Sequence, residues 1–471
     1  MRRDLVARPL YCELYPEEGP LDSEVGGHND DSIYPAGDDT IGRSDREPRL
    51  MIAQRTIAET LASLRRRWAL FFFRYWRAGL PWFWPARPVG QHAMVEARRM
   101  VRWDFGRDHH PLSRKLAQVL VTMTWPIAVL QNLWLVRQWF GPREALLKRA
   151  PGALWAAIRH NILPSEYYEY ELWQPDRRKN IDNYLFNNEA ARLFKVLNQR
   201  SEIDPIVDKL AFYELCKTLG IPTPEVLAAF APNGKLIDFR FSLPPQHDLF
   251  VKPRTGAGGF GAERFRWDGV LFQSNRGSRL RPEDLGGYLE NRARTENLTL
   301  LVQPVLSNHP DLRSGSNEAL ATARLVTGRS IHGEVTPIFC YILFGLPNEI
   351  TAQSNCATLI DVANGQLIPR PPQDSPVYRY RQFGSNDACI LSDWDAALRH
   401  VKAAHNACFN FVFIGWDVAF TPDGAMILEG NTNWSAGTYQ TLRGEPLGLT
   451  KFAGVLETHL SRNAPRKISD P

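Results

Sequence analysis

Three side chains near the C-terminal end of the chain have the types and spacing of ligands for a divalent cation. Asp417 lies in one apolar run, Glu429 comes twelve positions later at the end of the next run, and Asn431 follows. The two runs predict consecutive strands of a hairpin whose turn is at residues 422–424. Glu429 and Asn431 then share one strand face, because side chains alternate with a period of two. A few hard oxygen ligands of this kind suit Mg²⁺ that bridges nucleotide phosphates.

A lysine followed by a glycine-rich loop provides a candidate site for phosphate. Lys252 lies near the end of an apolar segment, and the loop at residues 255–261 holds four glycines in seven positions. Glycine lets backbone N–H groups approach a phosphate closely, and the lysine supplies a point charge. The loop is not a Walker A motif, because the lysine precedes the glycines. Taken alone, a glycine-rich loop is more often a hairpin turn.

Two further segments carry single polar residues among apolar ones. Gln303 lies in the run Leu300–Pro304, which could line an adenine pocket or form a plain core strand. Arg324 alternates with apolar residues in the segment 322–327. A desolvated arginine needs an anion, and a phosphate or a structural carboxylate would each satisfy it.

The elements that must position these residues follow from the same patterns. Asp208 caps a predicted helix that ends near Gly220, where the chain leaves in an extended conformation through two prolines. Apolar runs predict the following strands: 248–253, 298–305, 320–327, 331–343, 413–420 and 425–428.

Charge is unevenly distributed along the 471 residues, although the net charge is only +5. Residues 1–50 hold twelve acidic and six basic side chains, whereas residues 51–115 hold thirteen basic and four acidic ones. Residues 68–84 contain nine aromatic side chains in seventeen positions, and residues 116–136 carry no charge. The overall balance gives no reason to expect a nucleic-acid partner. The uncharged stretch is long enough to span a bilayer, but its polar side chains favour a packed or an interfacial helix.

In order along the chain, these signals resemble ATP-grasp enzymes: a lysine, a glycine-rich loop, a hinge strand, an arginine, an aspartate and Glu-x-Asn. The segments that look like the sugar-transfer-associated ATP-grasp family are 303–312, 322–327, 414–417 and 429–431, with the Asp208-Lys209 helix and Tyr167–Tyr170. The resemblance covers about residues 150–460. Where that family shows Asp-Asn followed by paired glycines, this chain keeps Asn355 without the aspartate or the glycines. The pocket for the second substrate is therefore left unassigned.

The resemblance implies an α+β fold of the ATP-grasp type, in which two α+β subdomains clasp ATP, preceded by a helical N-terminal region. Three segments are expected before the ATP-grasp subdomains: a disordered acidic tail at 1–50, an aromatic and basic helical region at 51–150, and a helical start of the family region at 151–203. The subdomain with the glycine-rich loop is expected at 204–305 and the subdomain with the Mg²⁺-binding residues at 306–460, followed by a tail at 461–471.

The resemblance also implies roles for individual residues. Arg324 and Lys252 would be catalytic, and Asp417, Glu429 and Asn431 would bind Mg²⁺. The residues expected to bind ATP are Lys209, Lys252, Thr255, Gly256, Gly258, Gly259, Gly261, Gln303, Val305 and Asp311.

The implied reaction is an ADP-forming ligation that activates a carboxylate as an acyl-phosphate and joins it to an amine or a thiol. The family name points to polysaccharide, glycoconjugate or natural-product biosynthesis. Phosphoryl transfer to a hydroxyl is one alternative, and a non-catalytic ATP-binding protein at a membrane is another. His309 precedes a proline, where a histidine more often caps and packs than catalyses.

Location is predicted from the N-terminal sequence and the cysteines. No apolar run follows Met1, and the six cysteines are scattered without a metal-ligand spacing. We expect a cytoplasmic protein, with residues 60–140 providing peripheral contact with the cytoplasmic face of a membrane.

Overall fold

The computed structural model describes the parts of the chain on which the candidate site depends. Predictions for the acidic tail, for the aromatic run 68–84 and for Asn355 lie outside the described residues. The described residues are 92–98, 119, 123, 125–127, 129–134, 136, 143–160, 162–198, 205–233, 236–239, 246–256, 258–312, 319–345, 349–352, 356–368, 379–380 and 390–463.

An antiparallel sheet, here called the first sheet, is built from the part of the chain that carries the glycine-rich loop. Its strand order is β2-β1-β7-β3-β4-β5-β6. One face packs on the apolar side of helix α6 (Pro282–Glu296) through Leu285, Leu289 and Ala293. The strands are β1 (Ala228–Phe230), β2 (Leu236–Phe239), β3 (Leu249–Pro253), β4 (Glu263–Trp267), β5 (Phe272–Ser274), β6 (Arg279–Leu280) and β7 (Leu300–Pro304).

The second sheet follows along the chain and has the order β11-β10-β9-β8-β13-β14, with β12 paired to β10. Helix α7 (Trp394–Ala407) packs on one face, and helices α8 (Ala436–Arg443) and α9 (Lys451–Asn463) pack on the other. The strands are β8 (Thr322–Arg329), β9 (Val335–Phe344), β10 (Cys356–Ile360), β11 (Leu367–Ile368), β12 (Arg379–Tyr380), β13 (Phe413–Thr421) and β14 (Gly424–Asn431).

Two of the predicted boundaries in the second sheet move by three residues or more. Strand β9 begins at Val335 rather than at 331, because Ser330 and Gly333 form a turn in which Gly333 has a φ of 87°. The last strand continues past residue 428 to Asn431, so that Glu429 and Asn431 are both part of the ladder. The predicted hairpin is confirmed, since β13 and β14 pair antiparallel around a turn at Pro422 and Asp423.

Helix α5 (Lys209–Leu219) lies between the two sheets. Asp208 accepts hydrogen bonds from the N–H groups of Leu210 and Ala211, and Gly220 ends the helix with a φ of 64°. The predicted helix is thereby confirmed. One side of α5 packs on the first sheet through Tyr213, and the other packs on the second sheet through Phe212 and Cys216.

The N-terminal part of the described chain is helical and packs on the second sheet. Gln440 of α8 accepts a hydrogen bond from the N–H of Leu185 at 3.0 Å and donates to its carbonyl at 2.7 Å. No helix in the described ranges is both long and apolar enough to cross a membrane. Positions 92–98 and the described positions between 119 and 136 are also helical. The other helices of this part are α1 (Arg143–His160), α2 (Pro164–Glu169), α3 (Pro175–Lys179) and α4 (Asn187–Leu197), and 3-10 turns lie at Ile181–Asn183, Pro310–Leu312 and Leu447–Leu449.

Candidate active site

Four polar side chains form a row across adjacent strands of the second sheet. Arg324 on β8 lies opposite Asp417 on β13, and Asp417 lies opposite Glu429 on β14. Tyr341 on β9 extends the row on the other side of Arg324. Directly opposed residues project from the same face of a sheet, so strand pairing alone brings these four side chains together. A register shift follows Asp417, and a bulge of this kind commonly re-aims side chains beside functional sites.

Arg324 and Asp417 form a largely buried ion pair at the centre of the row. Arg324 Nε lies 2.6 Å from Asp417 Oδ1, and Arg324 Nη2 donates to Asp417 Oδ2 at 3.2 Å. Asn431 Nδ2 also donates to Asp417 Oδ2, at 3.3 Å. The sequence left open whether a phosphate or a structural carboxylate neutralises Arg324. The structure shows a carboxylate, that of Asp417. Burial, together with repulsion from Glu429, raises the pKa of Asp417 to about 6 despite the arginine.

Glu429 lies between Asp417 and the lysines that come from the other side of the site. Its Oε2 is 3.6 Å from Lys209 Nζ. Burial acts to raise the pKa of Glu429, but Lys209, Lys252 and Arg324 outweigh burial and lower it. Burial also lowers the pKa of Lys252 to about 8, and Glu429 offsets part of that effect. The site is therefore an alternation of partly buried cations and anions.

Lys209 links this row to the glycine-rich loop. It is the first residue of α5, and its backbone N–H donates to the carbonyl of Arg254 at 3.0 Å. Its side-chain ammonium donates to the carbonyl of Gly256 as well as facing Glu429. Arg254 in turn forms an ion pair with the capping residue Asp208. The start of α5 thus holds the loop of the first sheet against the carboxylates of the second.

The loop itself has the backbone that its sequence predicts. Gly256, Gly258, Gly259 and Gly261 all have positive φ, from 65° to 100°. At Gly261 an added Cβ would lie 2.8 Å from Cγ of Pro253, so this position requires glycine for space as well as for conformation. The predicted ATP-binding residue Thr255 precedes these glycines and is exposed.

A buried ion pair anchors the C-terminal end of the loop, and the sequence analysis did not find it. Arg292 Nη1 lies 2.8 Å from Glu263 Oε2, and Arg292 also donates to the carbonyl of Gly261. Glu263 accepts further hydrogen bonds from the hydroxyls of Tyr288 and Ser274. The only signal in the sequence was a carboxylate at an inward-facing position of the strand Glu263–Trp267.

The hinge-strand residues lie on the face of the first sheet that carries Lys252. Leu301 is directly opposite Lys252, and Gln303 is opposite Phe250, so all four side chains share one face. Gln303 is buried and donates to the carbonyl of Pro224 at 3.1 Å. The N–H of Val305 donates to the carbonyl of Asp248 at 3.0 Å. The adenine roles of Gln303 and Val305 stay predictions.

Asp311 lies apart from the row of polar side chains on the second sheet. Its carboxylate is 3.1 Å from His309 Nδ1 and accepts a hydrogen bond from the hydroxyl of Ser392 at 3.3 Å. Among the described residues, no ion pair joins Asp311 to Arg324, Asp417 or Glu429. His309 donates its backbone N–H to the carbonyl of Phe420 and pairs with Asp311, which fits the packing interpretation of this histidine.

Two other residues of the site were missed by the sequence analysis. Tyr341 is buried beside Arg324, and its hydroxyl is hydrogen-bonded to Thr438 of α8. Gly415 lies two positions before Asp417 on the same face, where an added Cβ would lie 3.0 Å from Trp434 and 3.1 Å from Cδ of Arg324. A larger side chain at 415 would therefore displace the arginine. Gly415 lies in the segment 414–417 that resembles the family, but neither its contact with Arg324 nor that of Tyr341 could be read locally, because each depends on which strands are neighbours.

The carboxylates of Asp417 and Glu429, together with the amide of Asn431, have the chemistry needed to bind a magnesium ion along with a nucleotide. Among the described residues, no three His, Cys, Asp or Glu side chains converge as a metal cage. Two carboxylates and one amide are the donor set that Mg²⁺ uses when phosphate oxygens and water complete its shell. Asp417, Glu429 and Asn431 have the donor atoms of that set and would hold the ion, and Lys209 and Lys252 beside Glu429 carry the charge that phosphate would need.

Comparison with solved structures found several ligases at low similarity. A D-alanine–D-alanine ligase from Helicobacter pylori has 15% identity and a TM-score of 0.33, covering 59% of this chain and 69% of its own. An L-amino acid ligase from Bacillus licheniformis has 12% identity and a TM-score of 0.32, covering 57% and 53%. An N5-carboxyaminoimidazole ribonucleotide synthetase from Thermotoga maritima has 14% identity and a TM-score of 0.28, covering 59% and 52%. No curated protein sequence matched.

A match to a protein family covers more than half of the chain. The family model described as sugar-transfer associated ATP-grasp matches residues 188–451. That range includes both sheets and all four residues of the polar row, Arg324, Tyr341, Asp417 and Glu429. The chain therefore belongs to the sugar-transfer associated ATP-grasp family and has an α+β fold of the ATP-grasp type, preceded by a helical N-terminal region.

Proposed function

We propose that this protein is an ATP- and Mg²⁺-dependent ligase that activates a carboxylate as an acyl-phosphate and transfers the acyl group to an amine or a thiol. The observation that supports this most directly is the alternation of partly buried positive and negative side chains between the two sheets. Arg324 pairs with Asp417, and Lys209 pairs with Glu429, with Lys252 close by. Burying so many charges is costly unless they neutralise one another or a bound ligand.

Each part of the site has a separate task in this proposal. Lys209, Lys252 and the N–H groups of the loop 255–261 would hold the phosphates of ATP. Arg324 would stabilise the charge that develops on the transferring phosphoryl group and then on the tetrahedral oxyanion. Asp417, Glu429 and Asn431 would hold Mg²⁺, which supplies further neutralisation of phosphate charge.

No side-chain nucleophile is required in this reaction, and two buried candidates in the described ranges are unsuited to that role. His405 is buried between the carbonyl of Phe411 and the hydroxyl of Thr327, and burial lowers its pKa to about 4. Burial raises the pKa of Cys216 to about 12, which keeps that thiol protonated. The chemistry therefore rests on positioning and charge stabilisation.

Pathway and location belong to the same proposal. We place the reaction in polysaccharide, glycoconjugate or natural-product biosynthesis, on the strength of the family description alone. We place the protein in the cytoplasm, where its scattered cysteines would remain reduced.

Hydroxylamine trapping tests the reaction class. The full chain is incubated with ATP, Mg²⁺ and pooled amino acids and sugar acids, and both ADP and hydroxamate are measured. A ligase forms ADP and, with hydroxylamine present, a hydroxamate. Asp417→Asn should lower ADP release by about 100-fold or more, because it removes a carboxylate from the proposed metal set. Asp423→Asn, on the exposed hairpin turn, is the matched control.

The outcomes separate the alternatives. ADP without hydroxamate, together with a phosphorylated acceptor, would indicate phosphoryl transfer to a hydroxyl instead. Nucleotide binding without ADP formation for any acceptor would favour a non-catalytic ATP-binding protein. Equal ADP release by the wild type and Asp417→Asn would refute the assignment of the metal site.

A further inference from the structure

The described positions between 119 and 136 are helical and carry two apolar faces. They are here called the 119–136 helix. One face packs on the alanines of α1 and on Leu163. Its spacing of three and four residues is that of one side of a helix. The side chains of this packed face are Trp125, Val129, Leu133 and Val136.

The second face points away from the protein. Its members follow one another at intervals of four, four, three and four residues, and their exposed fractions run from 46% to 72%. They are Val119, Met123, Ile127, Leu130 and Trp134. Single exposed apolar residues are ordinary, but a continuous stripe along a helix marks a surface that contacts something apolar.

The charge of the neighbouring sequence indicates which apolar surface this is. The uncharged stretch 116–136 directly follows residues 51–115, which carry thirteen basic and four acidic side chains. A second copy of the chain on the stripe would bring two such basic segments together, and like charges would repel. An anionic bilayer offers hydrocarbon to the stripe and negative headgroups to the basic segment.

The aromatic content of the same region supports a lipid partner. Residues 68–84 place nine aromatic side chains beside arginines. Tryptophan and tyrosine favour the boundary between headgroups and hydrocarbon, where arginine meets lipid phosphate. Trp134 continues this composition at the end of the stripe.

We propose that the 119–136 helix lies in the surface of an anionic lipid bilayer, with the stripe Val119, Met123, Ile127, Leu130 and Trp134 facing the acyl chains. The packed face keeps the helix attached to α1, so the helix lies along the membrane surface and does not insert across it. This surface is separate from the nucleotide site, and the proposal does not depend on the ligase reaction.

Vesicle flotation of the full chain tests the proposal. The vesicles contain phosphatidylcholine alone or phosphatidylcholine with phosphatidylglycerol. The double variant Ile127→Glu/Leu130→Glu places two charges in the stripe, and each should weaken partitioning into the mixed vesicles by about tenfold or more. Val270→Glu is the matched control, because Val270 is 70% exposed on the turn between β4 and β5 and lies outside the stripe.

The expected result is flotation of the wild type and of Val270→Glu with the mixed vesicles, and its loss in the double variant. Retained flotation of the double variant, or no flotation of the wild type, would overturn the proposal. A wild-type dimer that becomes monomeric in the double variant, without vesicle binding, would show that the stripe is a contact between copies and would also overturn it. ATP-dependent ADP release should match in all three proteins, which separates a failure here from a failure of the ligase assignment.

Discussion

Replacing Arg292 by methionine should lower the free energy of unfolding by about 3–5 kcal/mol, because it leaves the buried carboxylate of Glu263 without the only cation that is hydrogen-bonded to it among the described residues. The Glu263 side chain has 0% exposure and that of Arg292 has 5%, and their nearest charged atoms are 2.8 Å apart. Tyr288 and Ser274 would still donate hydroxyl groups to Glu263, but neutral donors do not cancel a charge. Methionine fills a similar volume, so the loss reports on charge and hydrogen bonding rather than on a cavity.

Arg276 provides a control, because it contacts both carboxylates that Arg292 contacts, Glu263 and Glu296. Its side chain lies 3.9 Å from Glu263 and 2.9 Å from Glu296, and it is 36% exposed. Arg292 also contacts Glu296, at 3.0 Å, but that carboxylate is partly exposed and the contact adds little. Arg276→Met should therefore cost about 0–1 kcal/mol.

Urea denaturation followed by far-ultraviolet circular dichroism measures both variants against the wild type. Equal losses in Arg292→Met and Arg276→Met would refute the argument that burial makes the difference. Because Arg292 also holds the carbonyl of Gly261, its variant should raise the KM for ATP, whereas Arg276→Met should not.

Two other predictions concern Lys252 and the glycine-rich loop that follows it. Burial lowers the pKa of Lys252 to about 8, so its ammonium loses a proton as pH rises through that value; ATP affinity measured by calorimetry should then fall by up to about tenfold per pH unit. Lys252→Arg should flatten this dependence, and a flat wild-type profile would show that Lys252 does not contact phosphate. Gly261→Ala should cost about 2–3 kcal/mol, since both its φ of 72° and the contact with Pro253 oppose a Cβ. Gly258→Ala, with a φ of 65° and no described atom within 4 Å of the new Cβ, should cost about 1 kcal/mol, and equal melting temperatures for these two variants would contradict the steric argument.

The parts of the site that depend on local patterns were predictable from the sequence. The pairing of Asp417 with Glu429 follows from an alternating pattern on both sides of a short turn. The start and end of α5 follow from a capping aspartate and a glycine, Asp208 and Gly220. In both cases the relevant residues are within about a dozen positions of one another, so strand period and capping chemistry are sufficient.

The contacts that depend on distant strands were not predictable. Arg324 and Asp417 are 93 positions apart, and nothing local shows that β8 and β13 are neighbours. The same holds for Glu263 and Arg292, which sit on a strand and a helix that each resemble ordinary surface elements in sequence. The roles of the residues predicted to bind ATP and Mg²⁺ stay predictions, although strand pairing and the start of α5 bring Lys209, Arg324, Asp417, Glu429 and Asn431 together.

The pairing of cations with carboxylates in the site bears on how the binding of metal and the binding of nucleotide affect each other. A metal ion that engages Asp417 and Glu429 weakens their attraction for Arg324 and Lys209 and leaves those cations in excess. A triphosphate that engages the cations leaves the carboxylates in excess. The two ligands together satisfy both sets, so each should raise the affinity for the other, and thermodynamic reciprocity requires the same factor in both directions. A site of this kind would respond to the complex of metal and nucleotide and discriminate against either one alone.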